Sequence, residues 1–265
     1  MAKISVLILT NNSDRTLVRC LESVKEFDEI IVVDSGSNDL TENMTHSYMG
    51  QFIVNRFLGF SEQRNFSITK ASHEWCLVVD SDECVTPELL KELYKIAEDK
   101  NALSLYRVFR TEYILGKETK TGHGKSGYQE RFFKKAHVHY EGKIHEYPVI
   151  DGVKPSHDSP LVGNLPEEAR LLHDPDNSIT NSVSKLGTYS ILKAREKMKS
   201  GKKISAFGVY FVFHLTFFQM LFKCIKEGRR GFMAALVEAM HRSLVKLLIY
   251  EKQVIDQEKN EFKKI

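Results

Sequence analysis

The sequence predicts an α/β fold, a mostly parallel sheet followed by a C-terminal α-helical appendage, on three observations. Strand-type and helix-type segments alternate through roughly the first 110 residues. The strand-type segments Ile4 to Leu9, Glu29 to Asp34 and Trp75 to Val79 are near-continuous apolar runs, the pattern of strands covered on both faces. Past Gly201 the chain changes to long apolar and amphipathic stretches with helical periodicity.

Each element has its own local reason. Ile4 to Leu9 reads as a strand, and Asn11, Asn12, Ser13 and Asp14 supply turn and helix-capping side chains. Leu17, Leu21 and Val24 then recur at helical spacing. Glu29 to Asp34 is a second strand, closed by the polar turn Ser35-Gly36-Ser37-Asn38-Asp39. Phe52 to Phe57 reads as a weaker strand, Ser61 to Ala71 as a short helix and Trp75 to Val79 as a strand. Thr86-Pro87-Glu88 opens a helix through about Glu98, with proline in its first turn. Leu103 to Phe109 is strand-like again. In residues 111–175, glycines, histidines and aromatics break the pattern, as expected of site-building loops. A helix is expected between Asp176 and Lys199, ended by Ser200-Gly201-Lys202-Lys203, and the charged final dozen residues are expected to fray.

Composition narrows the function classes. The 265 residues fit one large domain or a domain with an appendage. A net charge of +3 is too small to imply nucleic acid as a partner. Cys20, Cys76, Cys84 and Cys224 show no Cys-x-x-Cys spacing, which argues against a zinc or disulfide framework and for a reducing interior. Met1-Ala2-Lys3 runs directly into the first strand with no secretory signal, so a cytoplasmic location is expected.

The chemistry concentrates at Asp80-Ser81-Asp82, after the apolar run Trp75 to Val79. Two carboxylates about 5 Å apart repel by roughly 3 kcal/mol at an effective dielectric near 20. A divalent cation removes that cost, and oxygen ligands suit Mg²⁺ or Mn²⁺ better than Zn²⁺. Taken alone, such a pair also fits a polar loop after a strand. Its setting adds weight, because ligands of parallel sheets bind beyond the carboxyl ends of the strands, where Thr10, Asn11, Asp34 and Asp80 all fall.

Four segments taken together resemble the inverting family-2 glycosyltransferases with a GT-A nucleotide-binding fold. They are Ile8-Leu9-Thr10-Asn11-Asn12, Val33-Asp34-Ser35-Gly36-Ser37-Asn38-Asp39, Gln63-Arg64-Asn65 and Val79-Asp80-Ser81-Asp82-Glu83. The stretch from Tyr128 through Arg131-Phe132-Phe133 to Ile144-His145-Glu146, and then Leu171-Leu172-His173, resembles the branch that adds sugars to the lipopolysaccharide inner core. The resemblance covers roughly residues 3 to 200. It implies a catalytic domain over 1–200, with a nucleotide-sugar part to about 110 and an acceptor part over 111–200, and a separate region over 201–265.

By that resemblance, Thr10, Asn11 and Asp34 hold the base and ribose of a UDP-sugar. Arg64 and Asn65 reach base or phosphate, and Asp80 lies near ribose and metal. Asp82 ligates the Mn²⁺ or Mg²⁺ that bridges the diphosphate, and His173 completes the metal or diphosphate site. Inversion also needs a base for the acceptor hydroxyl. Glu146 is the first choice and Glu130 the second, although the Glu-Asp pair of many relatives is missing. Several have a plainer alternative: a turn cap for Asp34, a surface charge for Arg64, a structural pairing with Arg131 or Lys143 for Glu146. Glu83 is expected to cap the following turn rather than to be a ligand. His123, in Thr121-Gly122-His123-Gly124-Lys125, is a lid candidate. The implied reaction moves glucose from UDP-glucose to a lipid-linked saccharide. Its rivals are nucleotidyl transfer, disfavoured by a first turn without glycine, and a non-catalytic membrane scaffold.

Ile204 to Phe222 reaches the minimum length of a membrane span, but Gly208, His214 and Gln219 interrupt it. Phe232, Leu236, Met240, Leu244 and Leu247 or Leu248 then line one helix face. With Lys223, Lys226, Arg229 and Arg230 between, the pattern fits helices lying on an anionic membrane surface at the inner face of the cytoplasmic membrane. A hairpin packed inward or in a dimer interface is the alternative.

Overall fold

The apolar run that opens the chain forms β1 (Ile4–Thr10), and its apolar residues on both faces suit it to the interior of a covered sheet. The computed structural model describes all residues except 1, 115, 120–125, 143–145, 157, 175–178, 200, 202 and 263–265, and the backbone alone at 114, 179–182, 184, 185, 188 and 260–262. The lid candidate around His123, and Lys143 and His145, lie outside the described residues.

The order continues α1 (Leu17–Val24), β2 (Glu29–Asp34), α2 (Thr41–Ser47), β3 (Gln51–Val54), α3 (Phe60–Lys70), β4 (Trp75–Asp80), β5 (Glu83–Val85) and α4 (Pro87–Glu98). Strands β3, β2, β1 and β4 lie side by side and parallel. Thr10 stands opposite Asp34 and Leu9 opposite Asp80, so the three expected strand ends share one rim. Thr86 caps α4 by accepting from the Leu89 N–H, with Pro87 in the first turn. Helix α2 was not expected, because Thr41 to Ser47 has little apolar periodicity, and the third strand ends before Phe57.

Residues 111–175 are more ordered than expected. β6 (Leu105–Ile114) runs past Phe109, and β7 (Lys117–Glu118), β8 (Gly127–Lys134), β9 (Val138–Glu141), β10 (Tyr147–Ile150), β11 (Val162–Asn164) and β12 (Arg170–His173) follow. β8 inserts antiparallel between β4 and β6, so the sheet runs β3-β2-β1-β4-β8-β6-β12-β5, parallel on its first side and mixed beyond. The loop expectation failed because polar residues here pair across strands. Arg107, for example, stands directly opposite Glu130 and donates to it at 2.7 Å. Adjacent Phe132 and Phe133 fill the cores on opposite faces of the sheet, Phe132 stacking on Trp75 at 4.5 Å.

The chain forms two compact units, Met1–Gly116 with Ser126–Asp176, and Lys117–Lys125 with Asn177–Ile265. Helix α5 (Ile179–Lys199) therefore belongs with α6 (Ala206–Lys223) and α7 (Arg229–Phe262), which moves the boundary from the expected 200 to about 176. The cause is packing: Ala194 is buried with Val245 and Ile249, and Ser190 hydrogen-bonds His241. α6 and α7 are antiparallel, with Gln253 bonded to both backbone groups of Ile204 and Phe217 against Phe232. α7 stays helical to Phe262 through much of the tail expected to fray.

Candidate active site

Asp80 ends β4 between two guanidinium groups. Arg64, from α3, donates to Oδ1 at 3.1 Å, and Arg131, from β8, donates to Oδ2 at 2.8 Å. Burial works to raise the Asp80 pKa, but Arg131 and Arg64 outweigh it and hold the carboxyl well below the usual range. Arg64 is buried, so the surface-charge alternative is corrected. Glu83 is corrected too: it is fully buried rather than a turn cap. It accepts from the Asp80 N–H at 2.9 Å, from Arg131 at 2.9 Å and from Arg110 at 3.3 Å.

Ion pairing continues to the expected metal residues. Arg110 pairs with Glu112 at 2.7 Å, and Glu112 Oε2 lies 2.6 Å from His173 Nδ1. His173 Nε2 lies 3.4 Å from Asp82 Oδ2. Strand register makes this possible, because His173 is opposite Glu112 on β6 and Glu83 on β5. Burial lowers the His173 pKa, yet Asp82 and Glu112 outweigh it and push it up to about 10, so the ring is an imidazolium. Among the described residues no group of three His, Cys, Asp or Glu side chains suited to a metal forms. Asp82 Oδ2 and His173 Nε2, 3.4 Å apart and both partly exposed, would supply a carboxylate oxygen and, once Nε2 loses its proton, a ring nitrogen to one divalent cation with further ligands from outside the chain.

Around the base-side strand ends the arrangement is structural. Asp34 is fully buried and accepts from Thr10 Oγ1 at 2.7 Å, Ser37 Oγ at 2.5 Å, and the Gly36 and Ser37 N–H groups at 2.7 and 2.6 Å. Those four bonds use its acceptor capacity, so the turn-cap alternative describes its contacts. The turn itself needs Gly36, whose φ is +99°. Asn65, expected beside base or phosphate, instead spends its amide on the backbone of Tyr140, donating at 2.8 Å and accepting at 2.7 Å. Asn11 is exposed on the rim.

Glu146 and Glu130 come together with Arg64, Asp80, Arg110 and Arg131 around a polar cavity of about 170 Å³. Glu146 pairs with Arg64 at 3.3 Å rather than with Arg131, whereas Glu130 is held more tightly by Arg107. Among the described residues Arg64 Nη1, Arg110 Nε and Arg131 Nε are buried with no hydrogen-bond partner, while the three guanidinium groups line the cavity and make it a positive surface for an anionic ligand. Sequence reasoning missed Arg110, Glu112 and the role of Arg131. Charges inside otherwise strand-like runs were the available signal, since a buried charge needs a partner.

A family model described as Glycosyl transferase family 2 matches residues 5–148. Similar proteins include the lipopolysaccharide core biosynthesis glycosyltransferase LpsC of Rhizobium meliloti (strain 1021), 26% identical over 97% of this chain and 95% of that protein. An uncharacterized glycosyltransferase of Rickettsia prowazekii (strain Madrid E) is 27% identical over 92% of this chain and 85% of that protein. Among solved structures, S. aureus TarS 1-349 aligns with TM-score 0.46 and 17% identity over 72% of this chain and 63% of that one. The Mycobacterium tuberculosis glucosyl-3-phosphoglycerate synthase solved with Mn²⁺ and UDP-glucose aligns with TM-score 0.37 and 23% identity, over 41% and 44% respectively. The chain spans less than two thirds of either solved chain.

Proposed function

The chain belongs to glycosyl transferase family 2, and from that premise we propose a metal-dependent, inverting transfer of glucose from UDP-glucose to a lipid-linked saccharide of the lipopolysaccharide core. Glycosyl transfer follows from the family, which displaces nucleotidyl transfer and the non-catalytic scaffold. The name of the Rhizobium relative supports a core saccharide as acceptor. The proposed location is the inner face of the cytoplasmic membrane, where such an acceptor is within reach.

The observation that carries the mechanism is the cavity in which Asp80, Arg64 and Glu146 meet at the carboxyl end of β4. Asp82 and His173 would hold Mn²⁺ or Mg²⁺, which when bound supplies charge stabilisation to the leaving diphosphate. To do so His173 would give up its Nε2 proton, while Glu112 retains the hydrogen bond at Nδ1 and fixes the ring. The guanidinium groups of Arg64, Arg110 and Arg131 that line the cavity would stabilise charge on donor oxygens. Asn11 would meet the base, since Asp34 is committed to its own turn.

Glu146 would take the proton from the acceptor hydroxyl as the new glycosidic bond forms and the nucleoside diphosphate leaves. It is preferred to Glu130 because its pairing with Arg64 is the longer one, whereas Arg107 holds Glu130 at 2.7 Å. The test is a donor-hydrolysis screen: wild-type protein with Mn²⁺ and a panel of nucleotide sugars, reading released nucleotide. UDP release from UDP-glucose, lost with chelator or in Asp82→Ala, is the expected result. Turnover that survives either treatment would remove the metal role, and preference for another nucleotide would replace the donor.

A further inference from the structure

We propose that the outer face of α6 docks onto an anionic lipid bilayer, lying in the headgroup plane. Phe207, Tyr210, Phe211, Leu215, Phe218 and Phe222 are each more than half exposed, and their spacing of three or four puts them along one side of the helix. The opposite side is occupied: Val212, Thr216 and Met220 are buried, and Lys246 of α7 donates to the Gly208 carbonyl. Scattered exposed apolar residues are ordinary, whereas a continuous aromatic strip marks an interaction surface.

Charge identifies the occupant. Over residues 223–230 the chain carries Lys223, Lys226, Arg229 and Arg230 against Glu227 alone. Each basic group near an anionic surface adds about fivefold in partitioning. α6 contains no acidic residue, so a second copy would bring bases to a face with nothing to receive them. Among the described residues α6 is the one helix long and apolar enough to cross a membrane. Crossing would carry its partner α7, with Glu238, Arg242 and Lys246, toward hydrocarbon, where charges are costly. Lying flat buries the aromatic strip and leaves α7 in water.

This deepens the membrane part of the proposed function and depends on no catalytic residue, so donor hydrolysis in the same samples fails or survives independently. The experiment is flotation of the full chain with phosphatidylcholine vesicles containing about 30% phosphatidylglycerol, against phosphatidylcholine alone and against about 0.5 M salt. Wild type should float with anionic vesicles, and Phe211→Glu with Phe218→Glu should reduce binding about tenfold or more, with unchanged circular dichroism and donor hydrolysis. Should that variant misfold, Phe218→Trp replaces it: its emission should shift to the blue with anionic vesicles and be quenched by brominated lipid, against the buried Trp75. The proposal is overturned by a wild type that does not float, or by a Phe218→Trp variant whose emission vesicles leave unchanged. It is equally overturned by resistance to alkaline extraction, which means a span. A dimer in light scattering that the double variant turns into a non-floating monomer assigns the face to a second copy and also overturns it.

Discussion

At Asp80 burial and charge act in opposite directions, and two guanidinium groups decide the outcome. Arg131 carries the larger share, at 2.8 Å against 3.1 Å for Arg64, and it also neutralises the fully buried Glu83. Removing it would leave Asp80 to Arg64 and Glu83 to the longer Arg110 contact, and stripping one partner from a buried pair costs about 3–5 kcal/mol. Arg131→Met should therefore lower the unfolding free energy by about that amount in urea titrations. A loss under about 1 kcal/mol would show that water already screens the pair. Arg131→Lys should recover only part of it, since one ammonium cannot reproduce the planar fork. Glu112 acts differently, through His173. Glu112→Gln should keep the fold yet weaken Mn²⁺ binding by about 10–100-fold, read from free Mn²⁺ by electron paramagnetic resonance. Unchanged affinity would take Glu112 out of the ligand-orienting role. For Glu146→Gln, donor binding by calorimetry should persist while transfer is lost; retained turnover would hand the base to Glu130.

Among elements, the strands β1, β2 and β4 were legible because each is an apolar run ended by a polar residue, and α4 because Thr86 and Pro87 announce its start. Asp80, Asp82, Arg64, Glu146 and His173 were legible as site residues because each sits in a recognisable segment, and the fold brings Asp80, Arg64 and Glu146 around one cavity and Asp82 against His173. Their supports were not legible. Arg131 is 51 positions from Asp80 and 48 from Glu83, and nothing local to any of the three announces the pairing. The antiparallel β8 that delivers Arg131 looked like loop because its polar residues pair across strands. The amino ends of the central strands depend on carboxylates as well. Glu29 accepts from Ser5 and Ser72, and Asp28 accepts from the Ile4 N–H and Tyr94. Burial raises both pKa values, but those donors win and hold both below the ordinary range. A lowered carboxyl stabilises the fold above its unfolded value and loses that contribution as pH falls toward its folded one. The Asp28 and Glu29 contributions should then be constant above about pH 5 and fall below about pH 4, with Glu29→Gln less stable at neutral pH and flatter in acid. Urea midpoints across that range check this, and parallel acid limbs for the two proteins would assign the loss to other groups.

For the molecule as a whole, the placement of α5 changes what a truncation means. Ending the chain after Gly201 would follow the boundary expected from sequence, but the helix left behind is one that α7 covers. Ala194 and Met198 would lose Val245 and Ile249, and Ser190 would lose His241. An isolated helix of this length with its apolar side in water is marginal, since packing rather than propensity supplies most helix stability. The sheet, by contrast, has its own two cores, built from residues 4 to 171. In hydrogen exchange, a 1–201 chain should therefore lose protection throughout α5 while amides of β1, β2 and β4 stay protected. Circular dichroism should show a helix loss larger than the deleted residues account for. Protection of α5 retained at its full-length level would mean that the helix does not depend on α7, and would return the boundary to about residue 200.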